Sequence, residues 1–222
     1  MAKVPATVII AVRNGADFIG EALQSVFDQT RAPEEVIVID DGSTDQTPTE
    51  VRRFTKALYV RQPALGFAHA QNHGVRRASK PFVTFLDADD LWHPTKTEDQ
   101  FDVLSNDAEL DFVFGNVVQF SGCASQALTR AAAPVAGRLF GALTIRLDSF
   151  KKVGPFTTAW TVGSPIDWWV RADDVGLRGK FISKIALLRR IHDRNNGRTT
   201  HEPMRDYLSI LHSVMKRRRE KR

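Results

Sequence analysis

Three short polar segments of this chain each follow an apolar run: RNG at 13–15, DDGS at 40–43 and DADD at 87–90. Any one of them could form an ordinary turn, because Asp, Asn, Gly and Ser are residues that make turns and caps. Five Asp side chains at two strand ends of one sheet would repel one another, and a divalent cation relieves such repulsion. Carboxylate oxygens suit the hard ions Mg²⁺ and Mn²⁺, which commonly bridge to substrate phosphates. The Asp clusters therefore indicate a metal site that receives a nucleotide diphosphate.

The elements that position these segments alternate along the first half of the chain. Apolar runs typical of buried strands cover residues 7–12, 36–39, 58–61 and 82–86. Helices are predicted at 18–27, from 47, at 68–78 and at 95–104, and the starts at Thr47 and Thr95 have the capping-box form. This series predicts an α/β fold with a Rossmann-like, mostly parallel sheet and helices on both faces. Such a sheet binds ligands beyond the carboxyl ends of its strands, where the polar segments lie.

The second half has a different pattern, without an internal repeat or an interdomain linker. We predict a strand at 112–120, a loop at 121–137, a return to the sheet at 139–146 and a helix at 167–175. From Pro203 onward a closing helix carries one apolar face, made by Met204, Tyr207, Leu208, Leu211 and Met215. The chain is therefore expected to form a single domain.

Length and composition exclude several classes of protein. The 222 residues, 42% hydrophobic, suffice for one packed core and exclude a disordered chain. Cys123 is the single cysteine, which excludes a disulfide scaffold and suits a reducing compartment. The sequence shows no signal-peptide pattern, and its longest apolar run, at 8–12, is far too short to span a bilayer. We expect a soluble cytoplasmic protein.

The net charge of +5 comes from one segment, KRRREKR at 216–222, and the rest of the chain is neutral. The basic composition therefore does not predict nucleic-acid binding. Cations at a helix end are ordinary solvated surface that suits the helix dipole. The alternative is peripheral contact with an anionic membrane surface.

Common catalytic motifs are missing from the sequence. It contains no phosphate-binding loop of the form GxxxxGK[ST], GFAH at 66–69 is not a dinucleotide fingerprint, and no GxSxG elbow occurs. Cys123 lies in a predicted loop without an evident base, which argues against a thiol nucleophile.

Several spaced motifs together resemble the family 2 glycosyltransferases, which are inverting enzymes with the glycosyltransferase A-type fold. The first hundred residues carry TVIIAVRNG (7–15), EALQSVFDQT (21–30), VIVIDDGSTDQT (36–47), AQNHG (70–74) and FVTFLDADDLWHP (82–94). Downstream, LDSFKKVGPF (147–156), IDWWVRADDVGLRG (166–179) and RRIHDRNN (189–196) are similar to later family segments. The resemblance implies a nucleotide-sugar-binding half at 1–105, a small acceptor-side half at 106–202, and a C-terminal helix with a basic tail at 203–222.

The resemblance also implies roles for individual residues. Donor binding falls to Ala11, Val12, Arg13, Asn14, Asp41, Asn72, Asp87 and Ala88. Among these Asp41 accepts a hydrogen bond from the base, while Asp40 shapes the loop. Asp89 is the direct ligand of Mn²⁺ or Mg²⁺, Asp87 lies nearer the ribose or the metal shell, and His192 approaches the metal or diphosphate. On residue type alone, His192 is equally well a structural or surface histidine.

The catalytic base departs from the family pattern. An acidic pair usually precedes the helix arginine, here Arg171, but Ser164 and Pro165 occupy those positions. Asp167 is the nearest acid and the candidate base. Either it acts as the base through a shifted loop, or the base lies elsewhere, or the activity is weak; Asp167 could also be a carboxylate favoured by the helix dipole. A second departure is Gln71, where the family commonly has Arg.

Three tryptophans lie near the candidate base, namely Trp160, Trp168 and Trp169. They either stack on an acceptor sugar or pack in the core. The implied reaction is a metal-dependent, single-displacement transfer of a sugar, most commonly from a UDP-sugar, to an unknown acceptor hydroxyl. Two alternatives stay open. One is a degenerate protein that binds nucleotide-sugar without transfer, and the other is a nucleotidyltransferase, although its Gly-rich, basic N-terminal loop is missing from AVRNGADFIG at 11–20.

Overall fold

The computed structural model describes residues 3–124, 127, 132–159 and 163–193, which form one α/β sheet structure. Its strands are β1 (Val4–Val12), β2 (Pro33–Asp41), β3 (Leu58–Gln62), β4 (Phe82–Asp87), β5 (Leu91–Trp92), β6 (Phe112–Phe120), β7 (Val135–Ala136), β8 (Leu143–Arg146) and β9 (Gly179–Arg190). Its α-helices are α1 (Ile19–Phe27), α2 (Thr47–Arg52), α3 (Phe67–Arg77), α4 (Lys96–Asn106), α5 (Leu147–Val153) and α6 (Ser164–Asp174). A 3₁₀ turn at Phe140–Ala142 precedes β8.

All the strands belong to one sheet, in the order β3-β2-β1-β4-β8-β6-β9-β5, with β7 paired to β6. The first four are parallel, so the carboxyl ends of β1, β2 and β4 meet at one edge. In the second half, β8 runs antiparallel to both β4 and β6, whereas β9 runs parallel to β6. The predicted fold class is confirmed, and every antiparallel pair includes a strand of the second half.

The middle of the parallel half is fully buried because β1 pairs on both sides and helices cover it. Val8, Ile9 and Ile10 have no solvent exposure, and α3 packs against β1 and β2. Gly74 permits this close approach, since a Cβ at that position would lie 2.4 Å from the Ile9 Cγ2 atom. Packing at this distance fixes α3 relative to the strand ends.

The strand and helix predictions of the first half are confirmed, but both capping boxes are wrong. Helix α2 has Gln46 at its N-cap, and the Thr47 hydroxyl instead accepts the Gly15 N–H at 2.9 Å. Thr95 stands at the N-cap of α4, but its side chain makes no capping hydrogen bond and donates to Asp99 at 2.6 Å. A hydroxyl can donate one hydrogen bond and accept others from several neighbours, so the pattern alone did not decide the partners of these threonines.

Four elements, three of them in the second half, were not predicted as such. Helix α5 and the two-residue strand β5 were not predicted. Strand β9 was indicated only at its end, by the similarity of RRIHDRNN to a later segment of the family. Most of the first seven residues of β9 are exposed, so the strand lacks the continuous apolar run of β1. The short strand β7 also lies within the predicted loop at 121–137.

Some predictions fall outside the described residues. These are Trp160, the closing helix from residue 203, and the basic segment 216–222 with its proposed membrane contact. Among the residues that are described, none of the helices combines the length and apolarity needed to cross a membrane.

Candidate functional site

The loop after β2 is organised by Asp40, which is fully buried. Its carboxylate accepts the Ser43 N–H at 2.7 Å and the hydroxyl of Tyr59 from β3. Loss of hydration and this bond to Asp40 raise the pKa of Tyr59 to about 12. The predicted role of Asp40 in shaping the loop is confirmed.

Asp41 is held by three hydrogen bonds. One oxygen accepts from Gln62 Nε2 at 2.8 Å and from the Leu65 N–H at 2.9 Å, and the other accepts from the Gly66 N–H at 2.8 Å. Gly66 has a φ of +101°, a conformation that favours glycine. A carboxylate has about four acceptor directions, so one remains for a further donor.

The turn after β1 is attached to the same loop by Asn14, whose φ is +53°. Its N–H donates to Ser43 Oγ at 2.9 Å, and its side-chain oxygen accepts the Thr44 N–H at 2.8 Å. The side chains of Ala11 and Val12 pack in the core, so these residues offer mainly backbone to a ligand. Arg13, the predicted donor-binding residue that follows the strand, is exposed.

The carboxylates after β4 lie at the neighbouring strand end. Asp87 keeps access to solvent, so its side chain loses only part of its hydration. This loss, and then the charge of Asp89, raise the pKa of Asp87 to about 6, while the charge of Arg189 acts in the opposite direction. Asp90 is buried, and loss of hydration followed by the charges of Asp87 and Asp89 raises its pKa as well. Ala88 is half-buried and lies beside the β1 turn. Carboxyl groups are therefore concentrated at this edge of the sheet.

His192 reaches the same edge from the end of β9. Its Nε2 atom lies 2.9 Å from Asp89 Oδ2, and its ring stacks on Phe18 with centroids 4.7 Å apart. The structure thus brings together two residues that are 103 positions apart in sequence. In the described ranges no group of three or more His, Cys, Asp or Glu side chains could hold a metal ion. Mg²⁺ commonly uses only one or two carboxylates, with waters and substrate phosphates, so this donor set fits such an ion.

Asp167 lies in the first turn of α6 and is 2% exposed. Its Oδ2 accepts from Arg171 Nε at 2.9 Å, and the same guanidinium donates to the carbonyls of Val153 and Pro155 at 2.8 and 2.7 Å. This ion pair joins α6 to the segment after α5. The assignment of Asp167 as base stays a prediction.

The two tryptophans beside Asp167 belong to the core. Trp168 is fully buried and donates to the Gly154 carbonyl at 2.8 Å. Trp169 is 6% exposed and packs against Phe112, Phe114 and Phe140. Of the two explanations for these side chains, packing is therefore the one that applies to both.

Asn72 joins the two halves of the chain. Its amide nitrogen donates to the Phe156 carbonyl at 2.8 Å, and its oxygen accepts the Phe156 N–H at 2.8 Å. Both polar ends of the side chain are used in the fold, and its role in donor binding stays a prediction. The neighbouring Gln71 is buried, and its Oε1 atom has no hydrogen-bond partner among the described residues.

Sequence reasoning missed two supporting residues. Gln62 holds Asp41, and Arg190 bonds the backbone of Asp89 at 2.9 Å. The position of Arg190, two residues before His192, is the one sequence signal that could have drawn attention to it.

Comparison with known proteins agrees with this arrangement. The family model described as Glycosyl transferase family 2 matches residues 7–161. Uncharacterized glycosyltransferase RT0329 of Rickettsia typhi is 26% identical over 231 residues, which covers 95% of this chain and 71% of that protein.

Solved structures share the fold. S. aureus TarS 1–349 in complex with UDP-GlcNAc gives a TM-score of 0.78 at 17% identity, covering 96% of this chain and 65% of that one. Mannosyltransferase PcManGT from Pyrobaculum calidifontis, in complex with GDP-Man and Mn²⁺, gives 0.73 at 20% identity, covering 97% and 65%. At these identities the likeness concerns the fold alone.

Proposed function

The chain belongs to glycosyl transferase family 2, and we propose that it transfers a sugar, with inversion, from a nucleotide-diphosphate-sugar to an acceptor hydroxyl. The observation that carries the proposal is the convergence of Asp41, Asp87 and the Asp89–His192 pair at one sheet edge. That edge is where parallel α/β sheets bind ligands. Residues 1–105 then form the donor half, and 106–202 the acceptor-side half.

Donor binding is assigned to the ends of β1 and β2. The remaining acceptor direction of Asp41 suits an N–H of the base, since three donors already fix its carboxylate. A UDP-sugar is the proposed donor, and TarS, whose structure contains UDP-GlcNAc, offers a precedent within this fold. The backbone of Ala11 and Val12, with the exposed Arg13, would line the base and ribose.

The metal is assigned to Asp89 and His192, with Asp87 beside them. A bound Mn²⁺ or Mg²⁺ offsets negative charge that grows on the departing diphosphate. The complex of PcManGT with GDP-Man and Mn²⁺ supports metal use in this fold. The chain contributes two adjacent side-chain donors, which leaves room for diphosphate oxygens.

In the transfer step, the acceptor oxygen attacks the anomeric carbon as the bond to the diphosphate oxygen breaks. The acceptor proton goes to a carboxylate, for which Asp167 is our candidate. One displacement from the opposite face inverts the anomeric centre.

The alternative function is nucleotide-sugar binding without transfer. Two observations favour it: Ser164 and Pro165 stand where the family has its acidic pair, and Asp167 is buried in an ion pair. The two functions differ in turnover and share donor binding.

The experiment is an assay of nucleoside diphosphate release from UDP-glucose, UDP-GlcNAc and GDP-mannose, with Mn²⁺ and a panel of hydroxyl acceptors. Asp89→Ala should abolish release, whereas Asp102→Ala, which removes an exposed ion pair with Arg31, should leave it unchanged. Full turnover of Asp89→Ala would contradict the metal assignment. Donor binding by the wild type without release for any acceptor would support the alternative.

A further inference from the structure

Arg190, the last residue of β9, is 4% exposed and bonds to three separate parts of the chain. Its Nε donates to the Asp89 carbonyl at 2.9 Å, while its two terminal nitrogens donate to the Gly122 carbonyl and to Glu21 of α1. Its backbone N–H donates to Asp90 Oδ1 at 2.8 Å. One arginine thus joins α1, the carboxylate loop and the segment after β6.

Aromatic rings complete the surroundings of this guanidinium. Its central carbon lies 5.2 Å from the ring centroid of Phe18 and 4.7 Å from that of Phe120. The Phe18 ring also stacks on His192. Arg190 is therefore connected to both members of the Asp89–His192 pair, to the first through its backbone and to the second through Phe18.

We infer that Arg190 is a positioning residue that holds Asp89 and His192 ready as a pair for a divalent cation, an inference that rests on the proposed metal site. Asp87, Asp89 and Asp90 lie within four residues of one short loop, and donors from outside the loop are needed to fix its geometry. Arg190 supplies two of these, a side-chain N–H to Asp89 and a backbone N–H to Asp90. Outer groups that orient metal ligands typically contribute 10- to 100-fold to metal affinity.

A purely structural role for Arg190 makes a different prediction, and Arg146 provides the matched control. Arg146 also bonds backbone carbonyls, those of Leu110 and Leu104 at 2.8 Å, and lies 5.2 Å from the ring centroid of Phe82. It is the last residue of β8 and pairs with Phe82 at the amino end of β4, whereas the proposed metal site lies beyond the carboxyl end of that strand. Both arginines donate side-chain hydrogen bonds to backbone carbonyls and lie near an aromatic ring, but of the two only Arg190 contacts the loop that carries Asp89.

The test is titration of Mn²⁺ followed by electron paramagnetic resonance, with UDP present and a protein-free blank, on the wild type, Arg190→Met and Arg146→Met. We expect Arg190→Met to weaken Mn²⁺ binding about 10- to 100-fold, and Arg146→Met to bind like the wild type. Thermal unfolding of both variants measures the structural cost separately. Equal Mn²⁺ affinity in all three proteins would overturn the inference.

Arg190→Lys decides the question if the Met variant does not fold. Lys keeps the charge but lacks the fork that reaches Asp89, Gly122 and Glu21 together, so binding should still weaken several-fold. Wild-type affinity in this variant, with a lowered thermal midpoint, would leave Arg190 a structural residue only. A wild type that fails to bind Mn²⁺ at all would instead contradict the proposed function.

Discussion

Lowering the pH from 7 to 5 should protonate Asp87 in the metal-free protein. Loss of hydration, and then the charge of Asp89, raise its pKa to about 6 from the usual 3.8. At this value about 90% of the side chain is ionised at pH 7 and about 10% at pH 5. A cation that needs the ionised form should therefore bind about tenfold more weakly at pH 5 than at pH 7.

The raised pKa of Asp87 also makes the stability of the folded protein depend on pH. Between pH 4 and 6 the folded protein holds a proton on Asp87 that the unfolded chain has released, so this group stabilises the fold at low pH. The contribution is lost as the pH rises through about 6. Asp87→Asn should remove this dependence.

The assay is a carboxyl ¹³C NMR titration of the metal-free protein, with the Asp87 signal assigned from its loss in Asp87→Asn. The wild type should show a midpoint near 6, and Asp89→Asn should lower that midpoint because a neighbouring charge is removed. A wild-type midpoint near 4, or one that Asp89→Asn leaves unchanged, would refute the reasoning.

Three further predictions concern the fold and the base. Burial lowers the pKa of Lys96, so the free energy of unfolding of the wild type, measured in urea, should rise with pH in the alkaline range relative to that of Lys96→Met. The same pH dependence in both proteins would contradict this. Gly74→Ala places a Cβ 2.4 Å from Ile9 and should lower the free energy of unfolding, measured in denaturant, by about 1–3 kcal/mol. In the control Gly20→Ala the new Cβ meets no atom of another element within 4 Å, so this variant should not be destabilised. Asp167→Asn should reduce turnover about 10²- to 10⁴-fold with donor binding kept, and unchanged turnover would place the base elsewhere.

The parallel half could be predicted because its information is local. Strands β1, β2 and β4 are continuous apolar runs, each followed by polar turn residues, and the burial of all three follows from that pattern. The placement of Asp41 and Asp87 at one edge then follows from the parallel order alone.

The second half of the sheet and the contacts that support the site depend on interactions between distant parts of the chain. Nothing in the sequence around residue 190 indicates that β9 pairs with β6, or that Arg190 reaches Glu21, 169 positions away. The capping box at Thr47 failed for a related reason, since the Thr47 hydroxyl accepts the N–H of Gly15 from a distant part of the chain. Residue type alone left open whether Trp168 packs in the core or stacks on a sugar, and its complete burial shows that it packs in the core.

The central claim is a metal-dependent donor site made by the ends of β1, β2 and β4 with His192 of the β9 end. Calorimetric binding of UDP, GDP, dTDP and CMP, each with and without Mn²⁺, tests it most directly on the wild type and Asp89→Ala. We expect Mn²⁺-dependent binding of one nucleotide, UDP foremost, and loss of that binding in Asp89→Ala. Absence of binding for all four nucleotides, or equal binding by Asp89→Ala, would contradict it.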